Sequence, residues 1–181
     1  MAVKGVCMRK ILITLIFALL TTVHLGAKDI SPKAILETLQ RFYVEFKGGD
    51  ELIQKAEGYL VFPEIYKAGF VVGGEYGEGA LIQKGSIVSY YRMYGTSVGL
   101  QAGAKRYSMI ILFLTKEAMN NFLNKEEWVV GVDGNIAVMN WSKGTDLSSI
   151  DIKKDTIAIV FNNLGLMANI SLEGIIFQKI R

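Results

Sequence analysis

The sequence predicts an α+β domain in which a mainly antiparallel sheet, a sandwich or a partial barrel, is covered by two or three helices. Three observations predict it. Between residues 59 and 114, short runs rich in β-branched and aromatic residues alternate apolar and polar side chains at period two. Glycine-rich or polar breaks separate these runs at roughly ten-residue spacing. Two other stretches, 31–47 and 115–124, carry their apolar residues at the helical period instead.

Taken in chain order, Ser31 to Lys47 reads as an amphipathic helix, with Ser31 placed as N-cap and Pro32 in the first turn. Ile35, Leu39, Phe42 and Phe46 follow i, i+4, i+7 and i+11, with Leu36 and Tyr43 flanking that stripe. Gly48-Gly49 stops the helix. Asp50 is expected to cap a second short helix, to about Glu57, with Leu52, Ile53 and Ala56 inward. Strands are expected near Tyr59–Phe62, Gly69–Glu75, Gly79–Lys84, Ile87–Tyr94, Ser97–Ala104 and Tyr107–Leu114. Thr115 then caps a helix to Asn124, with Ala118, Met119, Phe122 and Leu123 as its apolar face. Trp128–Val132 and Asn135–Trp141 read as a hairpin joined by Asp133-Gly134, a type I′ signal. After a polar loop at 142–154, Thr156–Phe161 and Met167–Phe177 read as a closing hairpin around residues 162–165. No linker, low-complexity tract or repeat divides residues 28–181, so a single domain is expected there.

Residues 1–27 have the layout of a secretory signal. Lys4, Arg9 and Lys10 form a basic start, Ile11 to Leu20 an apolar run broken by Thr14, and Leu25-Gly26-Ala27 a small-residue end. The apolar run is shorter than the roughly 20 residues a membrane span needs. Cleavage after Ala27 is expected, the competing reading being an uncleaved N-terminal anchor; Met8 is a second possible start. Cys7 precedes the apolar run, where a lipidated cysteine would follow it. The expected location is therefore periplasmic or secreted. Removing Lys4, Arg9 and Lys10 from the chain's 20 basic residues leaves 17 against 17 acidic ones. A formally neutral domain offers no global attraction for nucleic acid. His24 and Cys7 are the only His and Cys, and both leave with the signal. The remainder holds no imidazole or thiolate, which excludes Ser-His-Asp and Cys-His catalysis, His/Cys metal sites and disulfides. Carboxylate, lysine and hydroxyl chemistry stays formally open.

Three constellations are candidates for chemistry. Gly69-Phe-Val-Val-Gly-Gly-Glu-Tyr-Gly-Glu-Gly79 lacks the spacing of a nucleotide-binding loop, and reads more simply as strand, tight turn and strand. Glu75 and Glu78 form a conceivable carboxylate pair without readable supporting groups, so catalysis is not expected. Asp133-x-Asn135 echoes a calcium loop but lacks its length and terminal Glu. A fourth feature is the helix 31–47. Lys33, Arg41 and Lys47 accompany aromatic residues at 42, 43 and 46, while Glu37 and Glu45 reduce the local charge to +1. Such a helix either packs on the sheet or lies in a bilayer interface; the pattern alone favours packing.

Several segments, in order, resemble the SYLF domain, also called the Ysc-type actin-regulator or Las-binding-protein family. Lys67-Ala-Gly-Phe-Val-Val-Gly-Gly-Glu-Tyr-Gly-Glu-Gly-Ala-Leu81 resembles its signature, preceded by Lys55-Ala-Glu-Gly-Tyr-Leu-Val-Phe62 and Pro63. Ser97-Val-Gly-Leu-Gln-Ala-Gly-Ala104, Met109 to Phe122, and Gly165-Leu-Met-Ala-Asn-Ile-Ser-Leu-Glu-Gly174 resemble later segments, so that the likeness covers about 31–178. Tyr90-Tyr91-Arg92-Met93 and residues 130–137 depart from the family pattern, the second by lacking a proline. The resemblance implies a lipid-binding module rather than an enzyme. Eukaryotic members bind phosphoinositide membranes partly through an N-terminal amphipathic helix, and some bind actin; bacterial members are typically exported. On this basis the helix 31–47 becomes the expected membrane contact, and actin an implausible partner for an exported chain. The expected function is an exported, non-catalytic domain of the bacterial envelope that binds anionic, phosphoinositide-type phospholipid. Lys33, Arg41 and Lys47 would meet head groups, Phe42 and Phe46 would anchor, and no cofactor or metal is implied. The alternative is an envelope structural or protein-interaction module without direct lipid contact.

Overall fold

In the computed structural model, residues 30–141, 154–164 and 170–181 are described, without the side chains of 70–72, 97–103 and 163–164. The described elements are α1 (Pro32–Glu45), α2 (Gly49–Gln54), β1 (Gly58–Gln83), β2 (Ser86–Phe113), α3 (Lys116–Leu123), β3 (Glu127–Val129), β4 (Ala137–Asn140), β5 (Thr156–Leu164) and β6 (Ile176–Lys179). They build the expected α+β architecture: a curled, mostly antiparallel sheet in the form of a partial barrel, with three helices against it. The loop expected at 142–154 falls almost wholly outside the described residues.

The six short strands expected between 59 and 114 are in fact two. β1 runs for 26 residues and β2 for 28, paired from Gly58↔Phe113 to Gln83↔Ser86. The glycines read as breaks lie inside the ladder, because backbone pairing needs no side chain. Register shifts between Phe62 and Ile65, Gly69 and Val71, and Leu81 and Ile82 bend this hairpin, as bulges do. The bends bring the two halves of β1 past one another. A Cβ on Gly79 would sit 2.5 Å from the Val61 carbonyl oxygen, and one on Gly77 2.8 Å from Ile65 Cγ1. These glycines therefore serve close backbone approach, not a turn. The one turn of the hairpin is Lys84-Gly85, both with positive φ (51° and 76°), as a type I′ connection requires.

The sheet order is β3-β6-β2-β5-β4, with β1 pairing β2. Two expected hairpins are corrected by it. β3 pairs with β6, and β4 lies parallel to β5, so the strands flanking Asp133-Gly134 do not pair with each other. Positive φ falls on Gly131 (87°) instead. Asp133 stabilises that turn by accepting the Val129 N–H at 2.7 Å and pairing with Lys125. β5 and β6 do not form the closing hairpin either; both pair with β2, at different places along its length. A strand as long as β2 offers two docking segments, and short-range sequence cannot say which one a later strand takes.

The Asp133 contacts give a pH expectation. The hydrogen bond from Lys125, then that from the Val129 N–H, hold its carboxyl below the usual aspartate range against the opposing effect of desolvation, and the charge of Lys125 adds a little more. A depressed folded pKa stabilises above the unfolded value, and the stabilisation is lost as pH falls through the folded value. Asp133→Asn should therefore flatten the acid limb of a thermal-midpoint-versus-pH curve while changing the neutral plateau little. An unchanged acid limb would count against this turn as a stability element.

Apolar side chains pack on both faces of the sheet. One cluster joins Leu60, Phe62, Leu81, Tyr91, Met93, Met109, Ile111, Val160 and Phe177 to α3 through Met119 and Phe122. Phe122 is its centre, with ring centroids 4.8 Å from Phe113, 5.0 Å from Tyr91 and 5.8 Å from Trp128. The other cluster joins Val61, Ile82, Ile110, Leu112, Ile157 and Ile159 to α1 and α2 through Ile35, Leu39, Phe42, Phe46, Leu52 and Ile53.

Candidate membrane-contact face and interior ion pair

Local chemistry sets α1 as expected. Ser31 is its N-cap, its Oγ accepting the Ala34 N–H at 3.3 Å, and Pro32 opens the first turn. Thr38 Oγ1 donates to the Ala34 carbonyl at 2.8 Å, which satisfies a hydroxyl on the buried side. At the other end, Gly48 takes φ 85° and starts α2 directly, so Gly48 rather than Asp50 is that helix's N-cap. Gly49 lies against Phe42, where a Cβ would stand 2.7 Å from the ring.

The five residues expected to meet lipid separate into two groups. Lys33, Arg41 and Lys47 are exposed, and Lys33 pairs loosely with Glu37 at 3.7 Å. Arg41 and Lys47 make no ion pair with any described residue. Phe42 and Phe46 are core residues, each 1% exposed, and this corrects their reading as anchors. Phe42 stacks on Phe46 at 4.9 Å and meets Phe161 at 5.7 Å, while Phe46 meets Trp141 at 4.0 Å. They belong to the i, i+4, i+7, i+11 stripe, and that stripe covers the sheet. The apolar residues α1 turns to solvent are Leu36, Tyr43 and Val44, exposed by 58%, 42% and 85%. The signal for them was present: Leu36 and Val44 fall off the core stripe and share the outward arc with Lys33, Gln40 and Arg41.

Glu75 and Glu78 do not form a pair. They are three residues apart in an unbroken stretch of β1, so their side chains leave opposite faces of the sheet. Glu75 is buried and pairs with Lys67, from the other half of β1, while the Tyr107 hydroxyl donates to its Oε2 at 3.2 Å. Burial, then the adjacent Glu75 charge, push the Tyr107 phenol far up, so it stays a donor. Glu78 instead accepts the Tyr76 hydroxyl. Sequence reasoning did not single out Lys67; its partner lies eight residues away in a strand whose bend is not visible locally.

Asp133, the acidic residue of the calcium-loop-like stretch, is engaged by Lys125 and the Val129 N–H. Among the described residues no helix is long and apolar enough to cross a membrane, which says nothing about crossing by strands.

A bent two-strand hairpin with a capped amphipathic helix on one face is the framework these residues share. The model of the family described as Ysc84, Las17-binding protein actin regulator, matches residues 94–180, so this part of the chain is similar to that family's domain. The match begins within β2 and ends just past β6; the glycine-rich stretch of β1 lies before it. No curated protein matches the chain.

Proposed function

We propose that the chain is an exported, non-catalytic domain that binds anionic phospholipid surfaces through the outward face of α1. The observation that carries this reading is the composition of that face: Lys33 and Arg41 beside exposed Leu36, Tyr43 and Val44, with Lys47 just beyond the helix. Exposed cations beside exposed apolar side chains suit the boundary between head groups and acyl chains. The anchoring role assigned from sequence to Phe42 and Phe46 passes to Leu36, Tyr43 and Val44. The family match over residues 94–180 supports a role at the level of that family, the resemblance of the sequence motifs supports lipid as the ligand, and the basic-apolar-small pattern of residues 1–27 supports export. The mature form recovered from an envelope fraction is expected to begin at Lys28 by intact mass; an unprocessed terminus would argue for an anchored form.

Each basic residue near an anionic surface contributes about 1 kcal/mol. Replacing Lys33, Arg41 and Lys47 together by Gln should therefore weaken binding to anionic vesicles on the order of a hundredfold. Raising salt should weaken the unmodified protein in the same assay. All three side chains are exposed, so the circular dichroism spectrum and thermal midpoint should hold. A folded triple variant that co-sediments with anionic vesicles as the parent does would remove α1 from the contact and favour an envelope protein partner instead.

A further inference from the structure

A second polar locus lies on the sheet itself. Glu78 on β1, Arg92 on β2, Gln178 on β6 and Glu127 on β3 stand directly opposite one another in register, and so share one face. Tyr76 and Tyr94 form the next cross-strand pair on that face. All but the exposed Glu127 are half-buried. The hydrogen bonds are unevenly distributed. Tyr76 donates to Glu78, whereas Tyr94 and Gln178 donate to Glu127, at 3.3 Å and 2.8 Å. Burial, then the bond to Glu78, push the Tyr76 phenol up to about 12, so it remains a donor. Arg92 makes no hydrogen bond or ion pair with any described residue, and its Nε is buried without an acceptor. A guanidinium carries five donors and no acceptor, so it calls for an anion with several oxygens. Yet Glu78 stands opposite it, one strand spacing or about 4.8 Å away, with an oxygen that calls for a cation. A simple dianion would be repelled by Glu78 and Glu127. A ligand that carries phosphate and ammonium a two-carbon link apart matches both demands.

We propose that this face binds the phosphoethanolamine head group of a membrane phospholipid, phosphate on the Arg92 guanidinium and ammonium on Glu78. The Tyr76 and Tyr94 rings line the site. The inference rests on the lipid-binding reading above but names a different surface and head group. Vesicles of phosphatidylcholine with and without phosphatidylethanolamine test it, because both lipids are net neutral and the steering charge stays constant. The purified protein should prefer the ethanolamine-containing vesicles. Arg92→Gln should remove about tenfold or more of that binding, since it deletes a charge-assisted contact. Glu78→Gln should narrow the preference for ethanolamine over choline, because only the former donates N–H to a carboxylate. Arg92→Gln also removes an unsatisfied buried donor, so its thermal midpoint should not fall; if it does fall, Glu78→Gln carries the test. No ethanolamine preference in the parent, or a preference that survives both substitutions, overturns the proposal. Saturable binding of soluble glycerophosphoethanolamine without binding to the vesicles would overturn the membrane source. Salt-sensitive binding to anionic vesicles that depends on α1, with no ethanolamine preference, would sink this inference and leave the α1 reading standing.

Discussion

Lys67→Met is expected to destabilise the folded chain by about 3–5 kcal/mol, the cost of stranding one member of a buried ion pair. The Glu75 side chain is 1% exposed and that of Lys67 23%. Without Lys67 the carboxylate keeps only the Tyr107 hydroxyl and cannot turn to water. Glu75→Gln should cost less, about 1–3 kcal/mol, because the amide oxygen can still accept from Tyr107 and the partly exposed Lys67 can find water. Lys67→Met combined with Glu75→Leu should recover most of the loss, since replacing both charges by apolar groups is often near neutral. Denaturant unfolding checks all three. The pair joins the two halves of β1 near the bulge between Gly69 and Val71, so hydrogen exchange in β1 should rise most around residues 65–77 in the single variant. A Lys67→Met protein within about 1 kcal/mol of the parent, the cost of a minor substitution, would mean that packing alone holds the curl.

Phe42→Ala should cost about 3–5 kcal/mol as well, but for a different reason: a cavity between α1 and the sheet. The ring is wedged among Phe46, Phe161 and Gly49, and the loss removes buried aromatic surface as well as ring contacts with Tyr43, Phe46 and Phe161. Val44→Ser on the same helix should change stability by less than about 0.5 kcal/mol, because its side chain is already in water. Chemical denaturation of the two variants separates a core face from a free face on one helix. A small effect of Phe42→Ala would mean that α1 is only lightly attached and available to leave the sheet. The contrast also governs vesicle experiments: substitutions at Phe42 or Phe46 confound binding with unfolding, whereas Leu36, Tyr43 and Val44 report on the surface.

Most of the helical structure was legible from residue order. Ser31, Pro32 and the stripe from Ile35 to Phe46 place α1 within a residue or two, and Thr115 with Met119 and Phe122 does the same for α3. Their signals act over four residues or fewer, inside the reach of local hydrogen bonds and of one helical turn. Leu123 is the exception, since it flanks the α3 stripe and stays 40% exposed. Strand content was legible too, but strand number was not. Glycines such as Gly73, Gly77 and Gly79 interrupt the pattern of side chains without interrupting the ladder. The candidate site divides the same way. The basic residues of α1 could be named from sequence because Lys and Arg are rarely core. Whether an aromatic beside them faced lipid or sheet depended on what the sheet offered.

By itself the sequence determined the fold class, the three helices, the caps of α1 and α3, the motifs that resemble the family, and the absence of His and Cys after residue 27. Only the tertiary structure decided that six expected strands are one bent hairpin, that β4 runs parallel to β5, and that Phe42 and Phe46 close a core. It also decided that Lys67 meets Glu75 and that Arg92 stands opposite Glu78 without pairing with it. The reason is range. Caps and helical periods are satisfied by neighbours along the chain, whereas strand partners, bends and charge partners are chosen by which surfaces meet once β1 has curled back on itself.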